Sequence, residues 1–292
     1  MEKSYEIYFG QMASKDYCLP THLEPYIEKY NLYKNSNNLT NTQLNLVANG
    51  KIIFYIFFNN NFAITKNKDN LKRHNNFILG LSTLKLSTPI TLQSNHNSFG
   101  CITTSFTYRG LIELLGMLPS ELTNKSIDIE TLFGNKGKQL IEEIVDSTTD
   151  AEKVHLLNQF FTKQIKTEMN YKQKSMNRIL DLINNSNNSL SVHKLSENSY
   201  MSYRTVHRLF QDQIGLCPKD YLNIIRFNRM CNQFNRNPNK NWNDIIFDYG
   251  YYDQAHFINE FKQIMHTPPK QFVNMCKGKF YLERPVFLGN FN

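Results

Sequence analysis

No run of apolar residues in this chain reaches the roughly 18 that a membrane-spanning helix needs. The longest, IIFYIFF at 52–58, has the length of a strand. The opening residues, MEKSYEIYFG, mix charges of both signs and lack the apolar core of an export signal. The expectation is a cytoplasmic protein with no membrane partner. Cysteine is scarce and unpatterned: Cys18, Cys101, Cys217, Cys231 and Cys276 are odd in number and include no C-x-x-C. That excludes a disulfide framework and a cysteine zinc site, and predicts reduced thiols. Neither His207 nor His256 is read as a metal ligand, and no cofactor is expected. Asp253 and His256 resemble half of a catalytic triad, but no activated serine or cysteine stands nearby, so no enzyme activity is expected.

Acidic residues are scarce in one part only. Residues 1–170 hold 17 Lys and Arg against 16 Asp and Glu, whereas residues 171–292 hold 16 against 9. Nearly all of the net charge of +8 therefore sits in the last two fifths, the usual mark of a polyanionic partner. The 38 asparagines match the codon bias of an AT-rich genome, and Asn-rich stretches carry no functional weight.

The patterning divides the chain. KIIFYIFF (51–58), NFILGL (76–81), LKLSTPITL (84–92) and FGCITTSFT (99–107) are short apolar or alternating runs separated by Asn, Ser, Pro and Gly, which predicts a small sheet or barrel. From Arg109 the period becomes helical: RGLIELLG closes at Gly116, GKQLIEEIV follows, and Thr149-x-x-Glu152 opens a helix with Val154, Leu157, Phe161 and Ile165 on one face. The polar stretch 166–174 reads as a linker. The division is then a sensor or dimerisation domain at 1–165, a DNA-binding domain at 175–276 and a tail at 277–292. The fold class is α+β: a β-rich domain with helices at its C-terminal end, followed by an all-α domain.

Residues 190–265 repeat one pattern: short helix, tight turn, second helix, with Phe210 aligned on Phe261, 51 residues on. Ser191 and Asp253 read as N-caps, Gly215 as a C-cap and Pro218 as the first turn of a long connecting helix. This is the form of two helix-turn-helix units, whose second helix can lie in a DNA major groove. In the first unit Val206, Leu209 and Phe210 face inward, leaving Arg204, His207, Arg208 and Gln211 on the opposite face at i, i+3, i+4, i+7. In the second, Phe257, Phe261 and Ile264 face inward and Gln254, His256, Asn259 and Gln263 outward. Arg pairs with guanine O6/N7 and Gln with adenine N6/N7. Tyr203, Lys219, Arg226 and Lys262 are the candidates for phosphate contacts, which position a protein without reading sequence. One such polar stripe is an ordinary solvated helix face; its doubling in the basic part of the chain favours DNA.

Residues 174–276 resemble the two-unit helix-turn-helix domain of AraC/XylS-type transcription regulators, through SYRTVHRLFQDQIGLCPKDYLNIIRFNRM (202–230) and DIIFDYGYYDQAHFINEFKQIMHTPPKQF (244–272). The resemblance implies base-facing roles for Arg204, His207, Arg208, Gln254, His256 and Asn259. Tyr200 and His266 stand where the family has glycines; left-handed backbone at Tyr200 would cost more than at Gly. LPTHLEPYIEKYNLY, GKIIFYIFF and GLIELLGMLPSELTNKSIDIETLFG resemble the sensor-like domain of one branch of that family, typical of environmental bacteria, implying a cupin-like fold. The partners implied are double-stranded DNA, RNA polymerase and a second copy of the chain; a small-molecule effector stays unspecified. Two alternatives remain: a DNA-alkylation repair protein with the same DNA-binding domain, and a ligand-independent dimerising DNA-binding module.

Overall fold

Backbone pairing in the N-terminal half builds two antiparallel sheets. The structure, a computed structural model, describes residues 5–7, 13–35, 42–46, 51–58, 62–66, 76–79, 88–94, 99–123, 125–165, 168–186, 190–236, 242–265, 268–271 and 286–290. The strands are β1 (Tyr5–Ile7), β2 (Ala13–Tyr17), β3 (Ile27–Asn35), β4 (Thr42–Leu46), β5 (Ile52–Phe58), β6 (Phe62–Lys66), β7 (Asn76–Leu79), β8 (Thr88–Ser94), β9 (Phe99–Phe106), β10 (Ser126–Asp128) and β11 (Val286–Asn290). One sheet has the order β1-β11-β4-β8-β6, the other β10-β7-β5-β9-β3-β2. The C-terminal strand thus pairs with β1 and β4, which gives part of the tail a place in the N-terminal sheet.

Every residue of β5 is buried, which is why it reads as a continuous apolar run rather than an alternating one. The register Phe54↔Thr104 and Ile56↔Ile102 puts Phe54 on the helix-covered face. There it meets Phe106, Phe133 and Phe161 edge-on at 6.3, 6.2 and 5.8 Å. Each such aromatic pair contributes about 0.5–1.5 kcal/mol beyond its buried area. Strand β3 is buried on both faces too, by Tyr30 and Leu32 on one and Asn31 and Tyr33 on the other.

The helices are α1 (Tyr108–Leu115), α2 (Pro119–Leu122), α3 (Ile129–Phe133), α4 (Asn135–Asp146), α5 (Asp150–Thr162), α6 (Tyr171–Asn184), α7 (Val192–Asn198), α8 (Tyr203–Gln213), α9 (Pro218–Arg236), α10 (Trp242–Asp248) and α11 (Gln254–Met265). Val154, Leu157 and Phe161 of α5 are buried within this domain, so these three residues of the stripe are core. Lys153, 2% exposed, donates from Nζ to the Ile144 carbonyl at 3.0 Å and to Ser147 Oγ at 2.8 Å, closing the open carbonyl end of α4. Burial pushes its pKa down. Helix α6 begins at Tyr171, inside the stretch read as linker, because Asn170 and Gln173 form a reciprocal capping box there. His266 and residues 237–241 lie outside the described residues. Among the described residues no helix is long and apolar enough to cross a membrane.

Candidate nucleic-acid interface

The doubling is present in backbone detail. Tyr200 N donates to Glu197 O at 3.0 Å and Met201 N to Ser196 O at 3.1 Å; Gly250 N and Tyr251 N donate to Phe247 O and Ile246 O at 2.9 and 3.2 Å. The turns therefore correspond 50 residues apart, Tyr200 on Gly250. Both residues have positive φ, 55° and 75°. The second helices are then capped alike: Ser202 Oγ accepts from Thr205 N at 3.2 Å and Asp253 Oδ1 from His256 N at 2.7 Å, now 51 residues apart. The one residue gained between turn and cap is Tyr252.

On α8, Val206, Leu209 and Phe210 are buried, while Arg204, Arg208 and Gln211 are exposed and His207 half-buried. Arg204, Arg208 and Gln211 have no intramolecular polar partner among the described residues. Tyr203 lies beside His207, with ring centroids 6.3 Å apart. On α11, Phe257 and Phe261 are buried and Gln254 and Asn259 exposed. His256 divides its loyalties: it is half exposed, yet Nε2 lies 3.8 Å from Glu260 Oε2 and its ring meets Tyr251 edge-on at 5.3 Å. Asp253 and Glu260 do stand one turn before and after His256. The first is used in the cap and the second elsewhere, and no three metal-ligating side chains gather among the described residues.

Lys219 and Lys262 are exposed, as a phosphate contact requires. Arg226 is not. Its Nη2 donates to both oxygens of Glu260 at 3.2 and 3.0 Å, and its guanidinium sits 4.6 Å from the centre of the Tyr251 ring. Tyr251 OH donates to the same carboxylate at 3.0 Å. With Arg226 21% and Glu260 17% exposed, this group braces α11 against α9. A phosphate contact by Arg226 would have to compete with the Glu260 carboxylate that its Nη2 already holds. Arg229 is used in a similar way, its guanidinium closing the carbonyl end of α6 at Ile183, Asn184 and Ser186.

The far end of α8 is held by the N-terminal helices, a contact that no sequence spacing announces. Ser120 Oγ donates to the Asp212 carbonyl at 2.9 Å, Thr123 Oγ1 to the Ile214 carbonyl at 2.5 Å, and Tyr108 OH to Gln213 Oε1 at 2.8 Å. The open carbonyls that end every helix thus find donors across the chain. Gly215 is required twice over: its φ is 78°, and a Cβ there would come within 2.9 Å of Ser120 Cα. Beside this contact is a cavity of about 370 Å³ between Ile52, Tyr108 and Arg109 on one side and Leu180, Ile214 and Tyr221 on the other. The cations at its wall are neutralised, Lys51 by Glu28 at 2.6 Å and Arg109 by Glu113 at 2.7 Å. The buried thiols of Cys101 and Cys231 are pushed well above their ordinary pKa by desolvation, the reverse of what an alkyl-accepting cysteine needs.

Residues 195–275 match the family model described as a helix-turn-helix domain. No curated protein matches the chain. Among solved structures, ToxT from Vibrio cholerae O395 is similar over 87% of this chain and 99% of its own, with 12% identity and a TM-score of 0.47. An unsaturated fatty acid-bound wild-type ToxT from V. cholerae strain SCE256 is similar over 96% and 99%, with 11% identity and the same score. Residues 195–275 are a helix-turn-helix domain of the AraC type, with α7–α8 and α10–α11 as its two units.

Proposed function

We propose that this chain is a sequence-specific DNA-binding transcription regulator that places α8 and α11 in successive major grooves of one duplex. The observation that carries the reading is the pair of equivalent, capped second helices, each showing fork-shaped or amide side chains to solvent over a phenylalanine-anchored inner face. Arg204, His207, Arg208 and Gln211 read bases in one groove, and Gln254, His256 and Asn259 in the next. Tyr203, Lys219 and Lys262 hold the phosphates. The grip of α1 and α2 on the end of α8 supports control from the N-terminal domain, and an occupant of the adjoining cavity would press on Ile214. The protein works in the cytoplasm, with RNA polymerase and a second protomer as its further partners.

The test uses the full-length protein on duplexes that it selects from a random pool. Arg208→Ala is expected to lower affinity for the selected site by about 5- to 150-fold, the equivalent of roughly 1–3 kcal/mol for one bidentate base contact. Binding to random duplex should change far less. Equal losses on both would remove Arg208 from base reading. Lys219→Ala is expected to weaken all sequences alike and to reduce the slope of log K against log salt by about one. A slope equal to that of the unaltered protein would take Lys219 off the phosphates.

A further inference from the structure

Three tyrosine rings at the starts of the second helices are exposed: Tyr203 at 58%, Tyr200 at 98% and Tyr252 at 86%. Tyr203 is already placed among the phosphate contacts. Tyr200 and Tyr252 have no role so far, and neither side chain makes a hydrogen bond, ion pair or ring contact among the described residues. Both lie in the turn just before a second helix, Tyr200 two residues ahead of the Ser202 cap and Tyr252 one residue ahead of the Asp253 cap.

Tyr200 is held where a side chain is unwelcome. At φ 55° its Cβ crowds its own carbonyl, and among the described residues it is the non-glycine with positive φ. Its counterpart Gly250 takes φ 75° without that penalty. A side chain that strains the backbone and packs against nothing contributes nothing to the free fold, so its use lies in a complex. Tyr252 leads to the same place independently. It is the residue by which the second turn exceeds the first, and it too is an aromatic ring standing in water.

We propose that Tyr200 and Tyr252 are contacts to the DNA sugar–phosphate backbone, one beside each second helix. This rests on the DNA-binding reading above. The N-terminal residues of a recognition helix meet base edges, so residues just ahead of its cap stand at the wall of the groove. A phenol suits that wall: its ring packs on deoxyribose and its hydroxyl donates to a phosphate oxygen. Beside Tyr200, the cations Arg204 and Arg208 give the surface the sign that a phosphate partner requires. Because one tyrosine stands beside each of two groove-reading helices, a partner that repeats once per helical turn fits both.

The experiment compares full-length Tyr200→Gly, Tyr252→Ala and Tyr252→Phe with the unaltered protein, by melting temperature and by affinity for selected and random duplex at two or more salt concentrations. Tyr200→Gly is expected to melt a few degrees higher yet bind both duplexes about 10- to 150-fold more weakly, as the loss of a hydrogen bond to a charged phosphate predicts. Tyr252→Ala should leave melting unchanged and weaken binding over the same range, with Tyr252→Phe in between. The salt slope should stay constant for all three, since a phenol releases no counterion. Full affinity in both Tyr200→Gly and Tyr252→Ala overturns the proposal, and if transcription is then lost the surface serves a protein partner instead. A flattened salt slope also overturns it, since the loss then comes from a displaced cation. If the unaltered protein binds no duplex at any salt, the DNA-binding reading fails and this proposal with it.

Discussion

Phe261→Ala is expected to destabilise the second helix-turn-helix unit by about 3–5 kcal/mol, the range for deleting a fully buried phenylalanine. Phe261 has no exposed surface and stands at the meeting point of α9 and α11, with ring centroids 5.6 Å from Phe257 and 5.5 Å from Phe227. A loss of that size is a large part of the roughly 5–15 kcal/mol that holds a domain together. The consequence for binding is specific. Helix α8 keeps its donors from Ser120, Thr123 and Tyr108, whereas α11 loses its inner anchor. The variant should therefore protect about one helical turn of its selected duplex where the unaltered protein protects two. Denaturant unfolding measures the first effect and footprinting the second. A shift below about 1 kcal/mol would mean that α11 is not seated on Phe227 as described.

What was legible in the sequence depended on the distance between interacting residues. Caps are local, so Ser191, Asp253 and Gly116 are readable from neighbours within four residues, and the structure has each in place, while Gly215 stands in left-handed backbone one residue beyond the Ile214 cap. The inner faces of α8 and α11 follow from period alone. Strand β3 is hidden for the opposite reason. Burial on both faces erases alternation, and the polar Asn31 and hydroxyl-bearing tyrosines remove the apolar signal that would replace it. The aligned repeat predicts one offset, 51, whereas the first helices and turns correspond at 50 and only the second helices at 51. A single inserted residue is invisible when the alignment is anchored on phenylalanines. Long-range polar contacts were the least accessible. Arg226 and Glu260 are 34 residues apart, and nothing in the composition around Arg226 distinguishes a guanidinium that holds a carboxylate from one that waits for a phosphate.

That ambiguity makes Arg226→Ala the most informative substitution in the C-terminal domain. As a brace, its loss leaves the Glu260 carboxylate largely buried, with Tyr251 OH as its remaining donor at 3.0 Å and His256 3.8 Å away. Breaking a fully buried pair costs about 3–5 kcal/mol. Both partners here keep about a fifth of their surface in water, and screening brings the expected cost to about 2–3 kcal/mol. Arg226→Lys should recover only part of this, because an ammonium lacks the planar face that lies over Tyr251 and gives up its water less readily. Removing both charges, in Arg226→Ala with Glu260→Ala, should cost less than Arg226→Ala followed by an independent Glu260 loss, since no carboxylate is left unpaired. The phosphate role makes the opposite forecast for the same protein: unaltered unfolding, affinity lowered equally on every duplex and a salt slope smaller by about one. An undisturbed denaturation midpoint together with that smaller slope would return Arg226 to the DNA backbone and leave α11 without its brace.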